Sequence, residues 1–174
     1  MYSKNNKRED ELFRKYLETT FEPAQTWAKS EEGKRWIKTH IPSLDALRPR
    51  DKEVMSAVYA IYINGKCIYA GQSLRTVRRL YVHAYNLCCN CLTIFGMTEE
   101  EVGAAEIEFK IMTPPLPNEC HRLAAEAAAV KVLKPVFQPY YNIEGMPADY
   151  CLPRAARRPA MIEAGVITGG DDNE

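Results

Sequence analysis

Two short apolar, tyrosine-rich runs joined by Asn64-Gly65 and closed by Gly71 dictate a β-hairpin in the stretch VYAIYINGKCIYAG, residues 58–71. Asn-Gly supplies with little strain the two positive φ angles of a type I′ turn, whose twist matches that of antiparallel strands on either side. The first strand is expected over roughly Ala57 to Ile63 and the second over Lys66 to Ala70, both rich in β-branched and aromatic side chains. Each strand carries a tyrosine, Tyr59 and Tyr69. Taken alone, these are ordinary half-buried sheet residues whose hydroxyls reach solvent.

The segment after the hairpin gives the tyrosines company. Ser73 can cap a helix whose apolar positions Val77, Leu80, Tyr81, Ala84 and Leu87 recur at helical spacing. Arg75, Arg79 and His83 lie four residues apart, which stacks them on the other side of that helix. From Val54 through Thr98 there is no Asp or Glu, while Lys66, Arg75, Arg78 and Arg79 are all present. An ordinary solvated face mixes both signs, so this one is arranged to meet an anion.

A third strand is expected from Ala105 to Met112, where Ile107, Phe109 and Ile111 alternate with Glu106, Glu108 and Lys110. After the PPLP loop, Asn118 can cap a second helix that runs until Pro135 stops it. Glu126 is the only charge between Leu123 and Val130 in that helix, within an alanine-rich run. It reads either as an i, i+4 partner of Arg122 or as a metal ligand.

From Ala57 to Asn142 the ordered set resembles the GIY-YIG endonucleases. Ala57-Val58-Tyr59 stands where that family has Gly-Ile-Tyr, and Tyr69-Ala70-Gly71 where it has Tyr-Ile-Gly. Arg79 sits eight residues past Gly71, at the place of the family's catalytic arginine, and His83 comes next where several of its restriction enzymes have histidine. The segment EAAAVKVLKP resembles the family's glutamate helix, which gives Glu126 the metal-ligand position. The chain departs from the pattern at Gln72, where the family often has lysine; Arg75 or Lys66 can replace that phosphate contact. At the offset of the family's asparagine stands Gln138, and Asn142 comes after FQPYY; either amide can orient a neighbour.

The resemblance implies an α+β fold, with a three-stranded antiparallel sheet in ββαβα order flanked by helices and preceded by an N-terminal helical segment. It also implies divalent-metal-dependent hydrolysis of phosphodiester bonds in double-stranded DNA. Such hydrolysis needs an aligned, activated water, charge neutralisation at the phosphoryl oxygens and a proton for the leaving group. By the resemblance Tyr59 is the general base, with Tyr69 beside it; a phenol does this work only if nearby cations lower its ordinary pKa of about 10, and Arg79, Arg75 and His83 are the available ones. Arg79 would hold the scissile phosphate bidentately and His83 would shuttle or orient the proton. Glu126 would hold one Mg²⁺, for which Mn²⁺ can substitute, since magnesium often takes only one or two carboxylates. Lys66, Gln72, Arg75, Arg78 and the C-terminal cluster Arg154, Arg157 and Arg158 are the expected DNA contacts. A type II restriction enzyme acting as a homodimer is the expected form, because a palindromic target calls for two related sites. The alternatives are a structure-specific or single-strand nuclease of repair, mobile elements or phage, and a DNA-binding module without catalysis.

At 174 residues with zero formal net charge the chain suits one domain or a core with appended segments, and a DNA binder of this composition must segregate its charges. It does so in sequence, with acids at Glu9 to Glu18, at Glu99 to Glu101 and in the terminal DDNE. The expected division is an N-terminal helical segment 1–50 for recognition or dimer contacts, a catalytic core 51–146, and a C-terminal arm 147–174. In the first segment Phe13, Tyr16 and Leu17 form one apolar stripe, and Trp27, Trp36 and Ile37 suggest a helix that packs. No apolar run approaches the length of a membrane span and the N-terminus has no signal-peptide core, so a cytoplasmic location is expected. The six cysteines are then expected to stay reduced. Cys88, Cys89 and Cys91 with Cys120 and His121 offer only one C-x-x-C spacing, and zinc is not expected.

Overall fold

The hairpin turn forms as its dipeptide requires: in the computed structural model Asn64 has φ 51° and Gly65 φ 77°, the pair of positive angles of a type I′ turn. The structure describes residues 11–12, 14–138 and 152–169. Strand β1 (Ala57–Ile63) lies at the centre of a three-stranded antiparallel sheet, between β2 (Lys66–Ser73) and β3 (Ile107–Ile111). The protein is therefore an α+β fold. β2 runs three residues beyond the expected Ala70, because Ala57, Val58 and Tyr59 find partners in Ser73, Gln72 and Gly71. A register irregularity between Ile61 and Tyr62 sets Ile61 opposite Tyr69.

Among the described residues, the longer helices around the sheet are α1 (Glu22–Lys29), α2 (Glu31–His40), α3 (Thr76–Cys89), α4 (Glu99–Ala104) and α5 (Glu119–Leu133). The C-terminal α6 (Arg154–Glu163) completes the set. The helix after the hairpin does not begin on Ser73. Ser73 ends β2, and its Oγ accepts the N–H of Arg75 at 3.1 Å, so it stabilises the turn that leads into α3. Thr76 then seats the helix on the sheet: its Oγ1 accepts the Ala57 N–H at 3.1 Å, while its own N–H bonds the Met55 carbonyl at 2.9 Å.

β3 is shorter than expected at both ends, and the residues before Ala105 form α4. Thr98 and Glu101 build a capping box, Glu101 N–H to Thr98 Oγ1 at 3.2 Å and Thr98 N–H to Glu101 Oε2 at 2.9 Å. The acidic cluster at 99–101 is the first turn of this helix, where carboxylates suit the helix dipole. α5 starts as expected, with Asn118 Oδ1 accepting the His121 N–H at 3.2 Å, and ends at Lys134, whose φ of 49° closes it before Pro135.

The N-terminal helices belong to the same core as the sheet. Ala28, Ile37, Ile41 and Leu44 are fully buried in one cluster with Tyr59, Ile61, Leu80 and Phe109. Trp27 joins Trp36 and Tyr85 at ring distances of 5.8 and 5.7 Å, tying α1 to α2 and α3. Among the described residues, side chains on both sides of residue 50 contribute to this one hydrophobic cluster. Phe13 lies outside the described residues. No helix among those described is long and apolar enough to cross a membrane.

Two of the three C-terminal arginines anchor α6 instead of forming an open basic arm. Arg157 is 7% exposed and donates to the carbonyls of Leu152 and Ile94 at 3.1 and 2.9 Å. Arg158 bonds the Gly96 carbonyl and meets both carboxylate oxygens of Glu101, each at 2.9 Å. That fork holds the Glu101 carboxyl below its ordinary pKa. Arg154, the third member of the cluster, is exposed.

Candidate active site

Tyr59 and Tyr69 are 0% and 2% exposed, so the reading of half-buried sheet tyrosines with wet hydroxyls does not hold. Their rings lie 6.2 Å apart, and His83 from α3 sits against both, at 5.5 Å from Tyr59 and 5.3 Å from Tyr69. The Tyr59 hydroxyl and His83 Nε2 share a hydrogen bond of 2.8 Å. Gly71 lies across the ladder from Tyr59, where its missing side chain makes room for the two phenols.

His83 is 1% exposed, and burial, helped by the positive charge of Arg79, pushes its pKa well below the ordinary 6.5. It is therefore a neutral imidazole at neutral pH. The expectation that His83 is a cation lowering the tyrosine pKa is corrected on this point: it can accept or donate a proton there, but it contributes no standing charge. Because the unfolded imidazole binds a proton more readily than the buried one, this residue favours folding fully above pH 6.5 and progressively less as the pH falls below it. Thermal melts between pH 8 and pH 5 are expected to show the midpoint falling at the acid end, and a His83→Gln variant to show a weaker fall. An unchanged pH slope in the variant would assign the acid sensitivity elsewhere.

Arg79 and Arg75 differ in setting. Arg75 precedes the helix with φ −128° and ψ 78° and is exposed, whereas Arg79 is half-buried on α3, one turn before His83. Arg79 donates from Nη1 to the Tyr16 hydroxyl, and its guanidinium stands 5.5 Å from the centre of the Tyr16 ring. Tyr16 was visible in the sequence only as part of an N-terminal apolar stripe, and nothing there joins it to a position 63 residues away.

α5 packs against β1 and β2, the strands that carry the two tyrosines. Its buried stripe is Arg122, Glu126 and Val130, with Glu126 5% exposed. Arg122 donates from Nε to Gln72 Oε1 at 3.0 Å and from Nη1 to the carbonyls of Leu116 and Pro117, each at 2.9 Å. Gln72, which stands where a lysine was expected by resemblance, thus recruits a guanidinium from another helix. Glu126 is the one carboxylate of that buried stripe, and carboxylate oxygens are donors of the kind that Mg²⁺ takes.

Gln138 lies beside the same strand. It is 2% exposed, its Oε1 accepts the Ala70 N–H and its Nε2 donates to the Ala70 carbonyl, both at 2.9 Å. With Val136 and Phe137 bonding the carbonyls of Cys67 and Ile68, it closes the outer edge of β2 and fixes the backbone between Tyr69 and Gly71. Asn142 lies outside the described residues. Lys66 and Arg78 are exposed and half-buried respectively. Among the described residues no three His, Cys, Asp or Glu side chains gather as a metal site, and burial pushes the Cys67 and Cys88 thiols up to about 11 and about 12.

Compared with protein-family models, curated proteins and solved structures, the chain has no significant match.

Proposed function

We propose that this chain is a DNA endonuclease of the GIY-YIG type, hydrolysing phosphodiester bonds with a divalent ion held by Glu126. The observation that carries the reading is the buried Tyr59–His83 hydrogen bond of 2.8 Å, with Tyr69 packed against the same imidazole and Arg79 one turn away. A buried histidine with a strongly perturbed pKa, set beside a phenol and an arginine, is the kind of arrangement that functional sites gather. With the imidazole protonated at Nδ1, Nε2 accepts the Tyr59 proton. The phenolate takes one from the water whose oxygen bonds phosphorus as the P–O bond to the leaving oxygen breaks, and the proton on Nε2 passes to that leaving oxygen. Arg79 neutralises the phosphoryl oxygens. A divalent ion at Glu126 would supply further charge neutralisation at the phosphate and its leaving oxygen. Lys66, Arg75, Arg78 and Arg154 are the cations proposed to meet flanking phosphates. In this reading the protein is a type II restriction enzyme working as a homodimer on double-stranded DNA.

Incubating supercoiled plasmid with the purified protein tests it. Conversion to nicked and linear forms is expected with Mg²⁺ and none with a chelator, and discrete fragments would establish sequence specificity. Intact plasmid under all conditions, with Mn²⁺ included, overturns the proposal. Nicking only of branched or single-stranded substrates would replace the restriction reading by a structure-specific one.

A further inference from the structure

We infer that Tyr16 is a positioning residue for Arg79, so that the N-terminal segment sets the plane of the guanidinium that meets the phosphate; this rests on the nuclease reading above. A guanidinium carries five N–H donors in a rigid fork, and its use as a bidentate phosphate ligand depends on which edge it presents. Tyr16 fixes that edge in two ways. Its hydroxyl oxygen accepts from Nη1, and its ring lies under the cation at 5.5 Å. A donor held at one nitrogen and a cation held beside the ring that carries the acceptor restrict the rotational freedom that a long arginine otherwise has in abundance.

The rest of the N-terminal segment supports this placement. Gln25 Nε2 bonds the Arg78 carbonyl at 2.7 Å, and Trp27 packs edge-on against Tyr85 at 5.7 Å. These contacts grip α3 over the stretch that carries Arg79 and His83. The wide π-type turn Leu17–Phe21, directly after Tyr16, links that residue to α1. The segment therefore acts on the chemistry through α3, a role distinct from reading bases.

The test compares the full-length protein with Tyr16→Phe, which keeps the ring and removes the acceptor, and Tyr16→Ala, which removes both. Plasmid nicking with Mg²⁺ gives kcat and KM, fluorescence anisotropy gives DNA affinity, and phenylglyoxal labelling read by mass spectrometry reports the accessibility of Arg79. Tyr16→Phe is expected to lower kcat about tenfold, the effect of one hydrogen bond to a charged group, with KM unchanged. Tyr16→Ala is expected to lower it about 100-fold, as misplacement of a catalytic group does, and to raise Arg79 labelling. Should Tyr16→Ala fail to fold, Tyr16→Phe carries the test. Unchanged kcat in the phenylalanine variant, or a loss confined to KM and DNA affinity, overturns the inference. A wild-type protein that does not nick DNA removes the nuclease reading, and the labelling result alone then decides whether Tyr16 holds Arg79.

Discussion

Replacing Glu126 by Gln is expected to reduce Mg²⁺-dependent nicking by about 10³-fold while leaving DNA affinity in the presence of a chelator unchanged. The size comes from the several kcal/mol that a divalent ion contributes to stabilising developing charge at a phosphate, at about 1.4 kcal/mol for each factor of ten. The substitution keeps volume and removes the anionic oxygen, so a fold whose α5 stripe is Arg122, Glu126 and Val130 stays packed. Two assays separate the explanations. If activity falls with intact affinity and an unchanged melting temperature, Glu126 acts on the reaction. If affinity and stability fall together, the carboxylate is a structural counter-charge inside the fold, and the nuclease reading loses its metal ligand. Nicking at the wild-type rate would remove Glu126 from the site altogether.

The parts of this protein that were readable from sequence are those fixed by local chemistry. Asn64-Gly65 specifies its turn by backbone preference alone, and Asn118 and Pro135 mark the ends of α5 by what they do to nearby backbone groups. The same logic was available for α4, where Thr98 and Glu101 form a capping box at the standard spacing. There the three consecutive acids read equally as segregated surface charge, which masks the helix start. What local chemistry does not specify is the partner of a long polar side chain. Arg157 and Arg158 look like their exposed neighbour Arg154 in sequence, yet carbonyls at Ile94 and Gly96 and a carboxylate at Glu101 take them up. Arg79 and Tyr16 are likewise joined only by tertiary packing.

The site shows the same division. Helix period places His83 beside the hairpin, but strict alternation from the Asn64-Gly65 turn would set Tyr69 opposite Ala60, on the other face from Tyr59. The irregularity between Ile61 and Tyr62 brings the two phenols together, so only the helix side of their meeting was legible. Their burial was not. Helical spacing put His83 on the side opposite the apolar stripe, and a face so defined reads as wet; the sheet and the tyrosines cover it. Desolvation then reverses the electrostatic role expected of the imidazole, from a cation to a neutral proton acceptor. Gln138 bonds both backbone groups of Ala70 as a short strand would, a geometry that spacing does not encode.

Gly71→Ala is expected to be the most destabilising single-methyl substitution in the hairpin. A Cβ built there comes within 2.6 Å of the Tyr59 hydroxyl oxygen, 2.8 Å of Tyr59 Cζ and 2.8 Å of Tyr69 Cε1. Real Cβ atoms do not approach so closely, and neither ring can swing into solvent, since both are essentially unexposed. The demand is for space, because the backbone of Gly71 does not have the positive φ of Gly65 or Gly96. Overpacking of this kind costs about 3 kcal/mol, which for a chain of this size lowers the melting temperature by about 6–12 °C. The displaced ring is the one hydrogen-bonded to His83 at 2.8 Å, so kcat should fall more steeply than stability would explain. Gly103→Ala is the control, because a Cβ in that helix meets nothing within 4 Å and should leave stability equal or slightly raised. If Gly71→Ala melts like Gly103→Ala and keeps its rate, the two phenols have room to spare and the Tyr59–His83 geometry is not held by close packing.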